Sequence, residues 1–149
     1  MTLPCSAALE IGLARRILLP VDGRPMAAIA ADDLVPFGAL VAGGLEAVMP
    51  AHVIYPEVDA KPAGYSRVWL QEILRGRLKF DGMIFSDDLG MAGAHTAGDI
   101  VARAEAAVEA GCDVVLVCND PAAADDLLSR WKPAPHADLV RRWARMAGK

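Results

Sequence analysis

The chain has no basic surplus, no long apolar run and no disulfide framework, and each absence removes a class of function. Its 149 residues carry a net charge of −4, whereas a nucleic-acid partner usually needs a basic face. Arg141, Arg142 and Arg145 are too few to change that and read as the solvated side of a last helix. No apolar stretch reaches the roughly 18 uninterrupted residues of a transmembrane helix, so no membrane partner is expected. Arg15 and Arg16 come late in the N-terminal stretch, whereas a secretory signal places its charge first; the expectation is a cytoplasmic protein. Among the three cysteines, Cys112 and Cys118 flank an apolar run. A strand there would hold them about 20 Å apart, well beyond the roughly 7 Å that a disulfide spans. Their spacing also matches no common zinc pattern. No Gly-rich phosphate loop follows any strand, and no histidine precedes His52.

What is present is an apolar chain, 54% hydrophobic, long enough for one domain with a real core. Its most informative stretch is Met83-Ile84-Phe85-Ser86-Asp87-Asp88-Leu89, an apolar run that stops in two adjacent carboxylates. Such a run reads as a buried parallel strand, and in α/β folds the carboxyl ends of these strands face the ligand crevice. A carboxylate there can act as base, nucleophile or metal ligand, or it can simply cap the next helix. Side chains alternate along a strand, so Asp87 and Asp88 are expected to point different ways. Periodicity alone does not decide which of them is inward.

The rest of the chain alternates. Asp32 or Asp33 caps a helix through Leu34, Phe37, Leu40 and Val41, with Pro36 in its first turn and Gly43-Gly44 at its end. Leu45 to Val53 reads as a strand and Ile54 to Tyr65 as a loop. Ser66 caps a helix whose apolar face is Trp69, Leu70, Ile73 and Leu74. Phe80-Asp81-Gly82 turns into the strand Met83 to Ser86. A helix bearing Ile100, Val101, Ala104, Ala107 and Val108 closes at Gly111, and Cys112 to Cys118 is the third strand. Asp120-Pro121 opens a further helix, and Ala137 to Met146 forms a last one. Strand, helix, strand, helix, strand, helix implies a parallel sheet. Three strands fall well short of a full (β/α)8 barrel, which usually takes roughly 200 residues or more.

At this level His52 either lines a pocket or is a structural histidine bonded near a strand end. His95 and His136 read as solvated, Asn119 and Asp120 as helix-entry residues, and Trp69, Trp131 and Trp143 as core.

Four ordered blocks carry a resemblance. Leu19-Pro20-Val21-Asp22-Gly23-Arg24-Pro25 is the first, and Met49-Pro50-Ala51-His52-Val53-Ile54-Tyr55-Pro56 the second. Phe80-Asp81-Gly82 with the Asp-pair strand is the third, and Ala110-Gly111-Cys112-Asp113-Val114-Val115-Leu116-Val117-Cys118-Asn119 the fourth. Together they resemble glycoside hydrolase family 3, and within it the bacterial cytoplasmic β-N-acetylhexosaminidases of peptidoglycan recycling.

The resemblance implies an α/β chain that is part of a (β/α)8 TIM barrel, roughly its last three βα units. It implies no cofactor and no metal. The implied reaction is retaining hydrolysis of terminal β-linked N-acetylglucosamine from muropeptides, through a covalent glycosyl-enzyme on Asp87, the position that matches the family nucleophile. The implied partner is a small carbohydrate, with His52 as a candidate contact in the sugar pocket.

This sequence departs from the family pattern in three ways. The family is about twice as long, and its first five strands have no counterpart here. Its Lys-His-Phe-Pro-Gly-His-Gly block and its Asp-Ser-His acid/base loop are also missing. Where that loop should precede Leu19, the chain reads Ala14-Arg15-Arg16-Ile17-Leu18. Residues 1–18 are therefore expected to be an unmatched segment, out of frame or wrongly started, with 19–149 as the C-terminal part of a catalytic barrel. Lys79 stands where the family commonly has glycine, which predicts a strained left-handed backbone there. The alternative to a working hydrolase segment is a truncated, inactive remnant, or a half-barrel that depends on a complementary chain. A weaker alternative is a different βα enzyme that holds Mg²⁺ on the Asp pair.

Overall fold

The computed structural model describes residues 19–134 and 137–148. Three parallel strands form its centre: β1 (Ala47–Val48), then β4 (Met83–Asp88), then β5 (Val114–Leu116). Ala47 and Val48 pair with Met83 and Ile84, and Phe85 and Asp88 pair with Val114 and Leu116. Helices α1 (Met26–Ala31) and α2 (Leu34–Ala42) precede β1, and the helix Val68–Arg77 precedes β4. That helix is π-wound, the Leu78 N–H reaching back to Ile73 O at 2.9 Å. Helix α3 (Ile100–Ala110) joins β4 to β5, and α4 (Pro121–Arg130) and α5 (Ala137–Met146) follow. Val48, Leu70, Leu74, Ile84, Ala104 and Ala107 meet in one buried core between sheet and helices.

Local chemistry sets the boundaries. Asp99 and Asp120 accept hydrogen bonds from Ala102 N–H at 2.9 Å and Ala123 N–H at 3.0 Å, capping α3 and α4. Pro121 takes the first turn of α4, where its missing N–H costs nothing. Gly111 ends α3. Ser66 Oγ accepts from Trp69 N–H at 3.2 Å, so Ser66 does start the π-wound helix. Gly82 is required by close approach: a Cβ there would lie 2.3 Å from Glu46 O, which bonds Met83 N–H at the start of the β1–β4 ladder. Lys79 has φ 59°, the left-handed backbone expected where the family has glycine.

Several expectations change. The outer strands are shorter than predicted, and β4 runs on through both aspartates. The predicted loop contains an antiparallel hairpin, β2 (Ile54–Tyr55) with β3 (Asp59–Pro62), to which Val21 adds a parallel bridge. Helix α1 was not foreseen. Asp33 makes no cap bond and pairs with Arg24 instead. Trp69 is buried and Trp131 packs against the core, but Trp143 is 53% exposed. It is displaced because Arg142, expected in solvent, turns inward to Asp113. His136 and residues 1–18 lie outside the described residues.

Candidate active site

The finishing end of β4 is irregular. Between its pairings at Phe85 and Asp88, β4 spends three steps where β5 spends two, so Ser86 and Asp87 lie in a bulge. Bulges re-aim side chains and recur beside active sites. Ser86 makes this one possible. Its buried hydroxyl accepts from Leu116 N–H at 2.9 Å, replacing a lost ladder bond, and donates to Asp87 O at 2.8 Å.

The two carboxylates beyond it have different duties. Asp88 Oδ1 accepts from Gly90 N–H at 2.8 Å and Cys118 N–H at 3.0 Å, tying the loops after β4 and β5 together. Asp87, half-buried, accepts from Asp88 N–H at 2.8 Å through Oδ1, and Oδ2 has no hydrogen-bond partner among the described residues. Both keep an Oδ2 with no hydrogen bond among the described residues; they differ in that Asp88 Oδ1 joins two loops, while Asp87 Oδ1 accepts from the amide of the next residue.

His52 comes to the same place from the loop after β1. It is 4% exposed, its Nε2 lies 3.2 Å from Asp88 O, and the Tyr65 ring sits 5.4 Å away. Burial pulls the imidazole below its usual pKa, opposed by the negative charge of Asp87 and by the Asp88 carbonyl and carboxylate. Tyr65 donates to Ala94 O at 3.3 Å, and burial pushes its phenol up. The other candidates stand apart. His95 is exposed, its Nε2 3.3 Å from Gly90 O, and Asp120 caps α4. Asn119 takes φ 60° at the entry to α4. Cys112 is buried, which pushes its thiol up to about 12, and Cys118 is exposed. Among the described residues, no group of three or more His, Cys, Asp or Glu is placed to hold a metal ion. No helix among them is long and apolar enough to cross a membrane.

A cavity of about 420 Å³ lies between the hairpin and α3, lined by Ile54, Lys61, Pro62, Tyr65, Thr96 and Ala110 among others. Neither Asp87 nor His52 lines it; both lie at the finishing end of the sheet.

Ser86, the bulge and the role of Asp88 were missed from the sequence. Strict strand alternation hides a bulge, and the bonds that reveal it run to β5.

Comparison with known proteins gives this arrangement its relatives. The glycosyl hydrolase family 3 N-terminal domain matches residues 16–142. The chain belongs to glycosyl hydrolase family 3. A protein named Beta-hexosaminidase from Chromobacterium violaceum is 59% identical over 132 residues, covering 89% of this chain and 37% of that protein. The native structure of NagZ from Neisseria gonorrhoeae superposes with a TM-score of 0.79 at 48% identity, covering 87% of this chain and 36% of that one. The same protein in complex with N-trifluoroacetyl-D-glucosamine gives a TM-score of 0.78 at 50% identity, with the same coverage of 87% and 36%. This family 3 chain therefore spans little more than a third of the length of these relatives.

Proposed function

We propose that the chain is the nucleophile-bearing portion of a retaining β-N-acetylhexosaminidase. In this reading it forms roughly the last three βα units of a (β/α)8 barrel. It acts in the cytoplasm on terminal β-linked N-acetylglucosamine of muropeptides, in peptidoglycan recycling. Asp87 attacks the anomeric carbon as the bond to the leaving oxygen breaks, giving a glycosyl ester; water then hydrolyses the ester with net retention. The acid that protonates the leaving oxygen, and most of the sugar-binding surface, come from a complementary portion of the barrel, in the same protein or in a second chain.

The observation that carries the reading is the position of the Asp pair at the finishing end of a parallel strand, where Asp88 Oδ1 is tied to the Gly90 and Cys118 amides and Asp87 is held by a single backbone N–H. The Beta-hexosaminidase relative and the N-trifluoroacetyl-D-glucosamine complex of the Neisseria protein support an N-acylated amino sugar as substrate.

Hydrolysis of 4-nitrophenyl N-acetyl-β-D-glucosaminide tests it, with the folded chain alone and with the complementary two-thirds of a full-length relative added. Asp87→Ala is expected to lose about 10³-fold or more. Activity that survives Asp87→Ala would overturn the assignment.

A further inference from the structure

We propose that His52 is a positioning residue for Asp87: its neutral imidazole anchors the backbone of residue 88, whose N–H aims the Asp87 carboxylate. The inference rests on the reading of Asp87 as nucleophile and adds a residue to its machinery.

The chain of contacts is short. His52 Nε2 lies 3.2 Å from Asp88 O, and the N–H of Asp88 donates to Asp87 Oδ1 at 2.8 Å. A carbonyl oxygen only accepts, so Nε2 carries the proton. The other ring nitrogen, Nδ1, is buried and has no partner among the described residues. Protonating it would strand a buried donor, which is costly, and burial already disfavours the charged ring. The geometry therefore selects the neutral tautomer with the proton on Nε2.

Neutrality has a purpose at this position. An imidazolium beside Asp87 would draw the carboxylate into a charge-assisted bond and weaken its attack. A neutral donor fixes the strand end and leaves the negative charge of Asp87 intact. The ring is also held in place. Tyr65 lies against it, and Gly93 approaches so closely that a Cβ there would sit 2.8 Å from His52 Cβ.

The test uses the full chain, ¹⁵N-labelled. At pH 7 the imidazole is expected as the tautomer protonated on Nε2; an Nδ1–H tautomer or an imidazolium overturns the proposal without any variant. The Asp88 amide proton is expected to shift as Asp87 ionises, in the wild type and in His52→Gln, whose amide N–H reaches the same carbonyl. In His52→Phe, which keeps a ring and loses the donor, that shift is expected to shrink; an undiminished shift overturns the proposal. In hydrolysis, kcat of His52→Phe is expected to fall about 10²-fold with KM little changed, and His52→Gln to recover most of it. A folded chain without hydrolysis, even when complemented, counts against the hydrolase reading, while the tautomer and the amide titration still decide the role of His52.

Discussion

Where the strands begin, Asp113 has a side chain 1% exposed, and it meets Arg75 at 2.8 Å, Arg142 at 2.6 Å and Ile84 N–H at 2.8 Å. Close by, Asp81 is paired by Arg141 and Arg145. Where the same strands finish, Asp87 and Asp88 are bonded by backbone N–H groups, and the neighbouring side chain is His52, whose pKa burial lowers. One end pairs its carboxylates with guanidinium groups and so fastens α5 to the sheet. The other holds its carboxylates with backbone N–H donors instead. The contrast matches the division found in α/β barrels, with stability at the starting face of the strands and chemistry at the finishing face.

The largest effect expected from this contrast is at Asp113. Asp113→Ala leaves Arg75 and Arg142 half-buried without their anion and is expected to cost about 3–5 kcal/mol in urea unfolding, whereas Asp87→Asn is expected to stay within about 0.5 kcal/mol. Equal losses would erase the distinction between the two ends. Next comes Asp88→Ala, which deprives the Gly90 and Cys118 amides of their acceptor. Its expected cost is about 2 kcal/mol, read from the same denaturation curve. Lys79→Gly, in the turn before β4, relieves a φ of 59° and is expected to stabilise by about 1 kcal/mol; a melting temperature that stays put or falls would count against it.

The smallest effect is acid release of α5. The Arg141 hydrogen bonds, helped by the charges of Arg145 and Arg142, hold the Asp81 carboxyl down from 3.8 to about 2. A depressed pKa contributes stability above the unfolded value that is lost as pH falls towards the folded one. Hydrogen-exchange protection of α5 is therefore expected to fade across that interval. High salt should shorten it too, because Asp81 is exposed. Protection that persists to pH 2 would mean that apolar contact, not charge, docks the helix.

Much of this plan could be read from residues close together in the chain. Gly111, Asp120 with Pro121, and Ser66 all act within a few positions of themselves, and each does what its local chemistry predicts, whereas the left-handed Lys79 was legible only through the family resemblance. The α/β alternation is legible for the same reason, because each strand and helix carries its own apolar pattern. What escaped notice depends on distant partners. Arg142 turns inward because of Asp113, 29 positions away, and in doing so leaves Trp143 outside. His52 answers to Asp88, 36 positions on, and the bulge at Ser86 and Asp87 exists only against β5. The hairpin was read as a loop because its prolines and its bulged register obscure any strand pattern. The separation of the two aspartates was legible in outline; which bonds enforce it was not.

The sheet runs in the order in which its strands are made, β1, β4, β5. During synthesis, then, each new strand emerges beside one already available, and no strand has to be threaded between two earlier ones. Helix α5 emerges after β5, and its Arg142 closes on the Asp113 that opens β5. The sheet can therefore pair before it is latched, and the moment of locking is set by the emergence of α5.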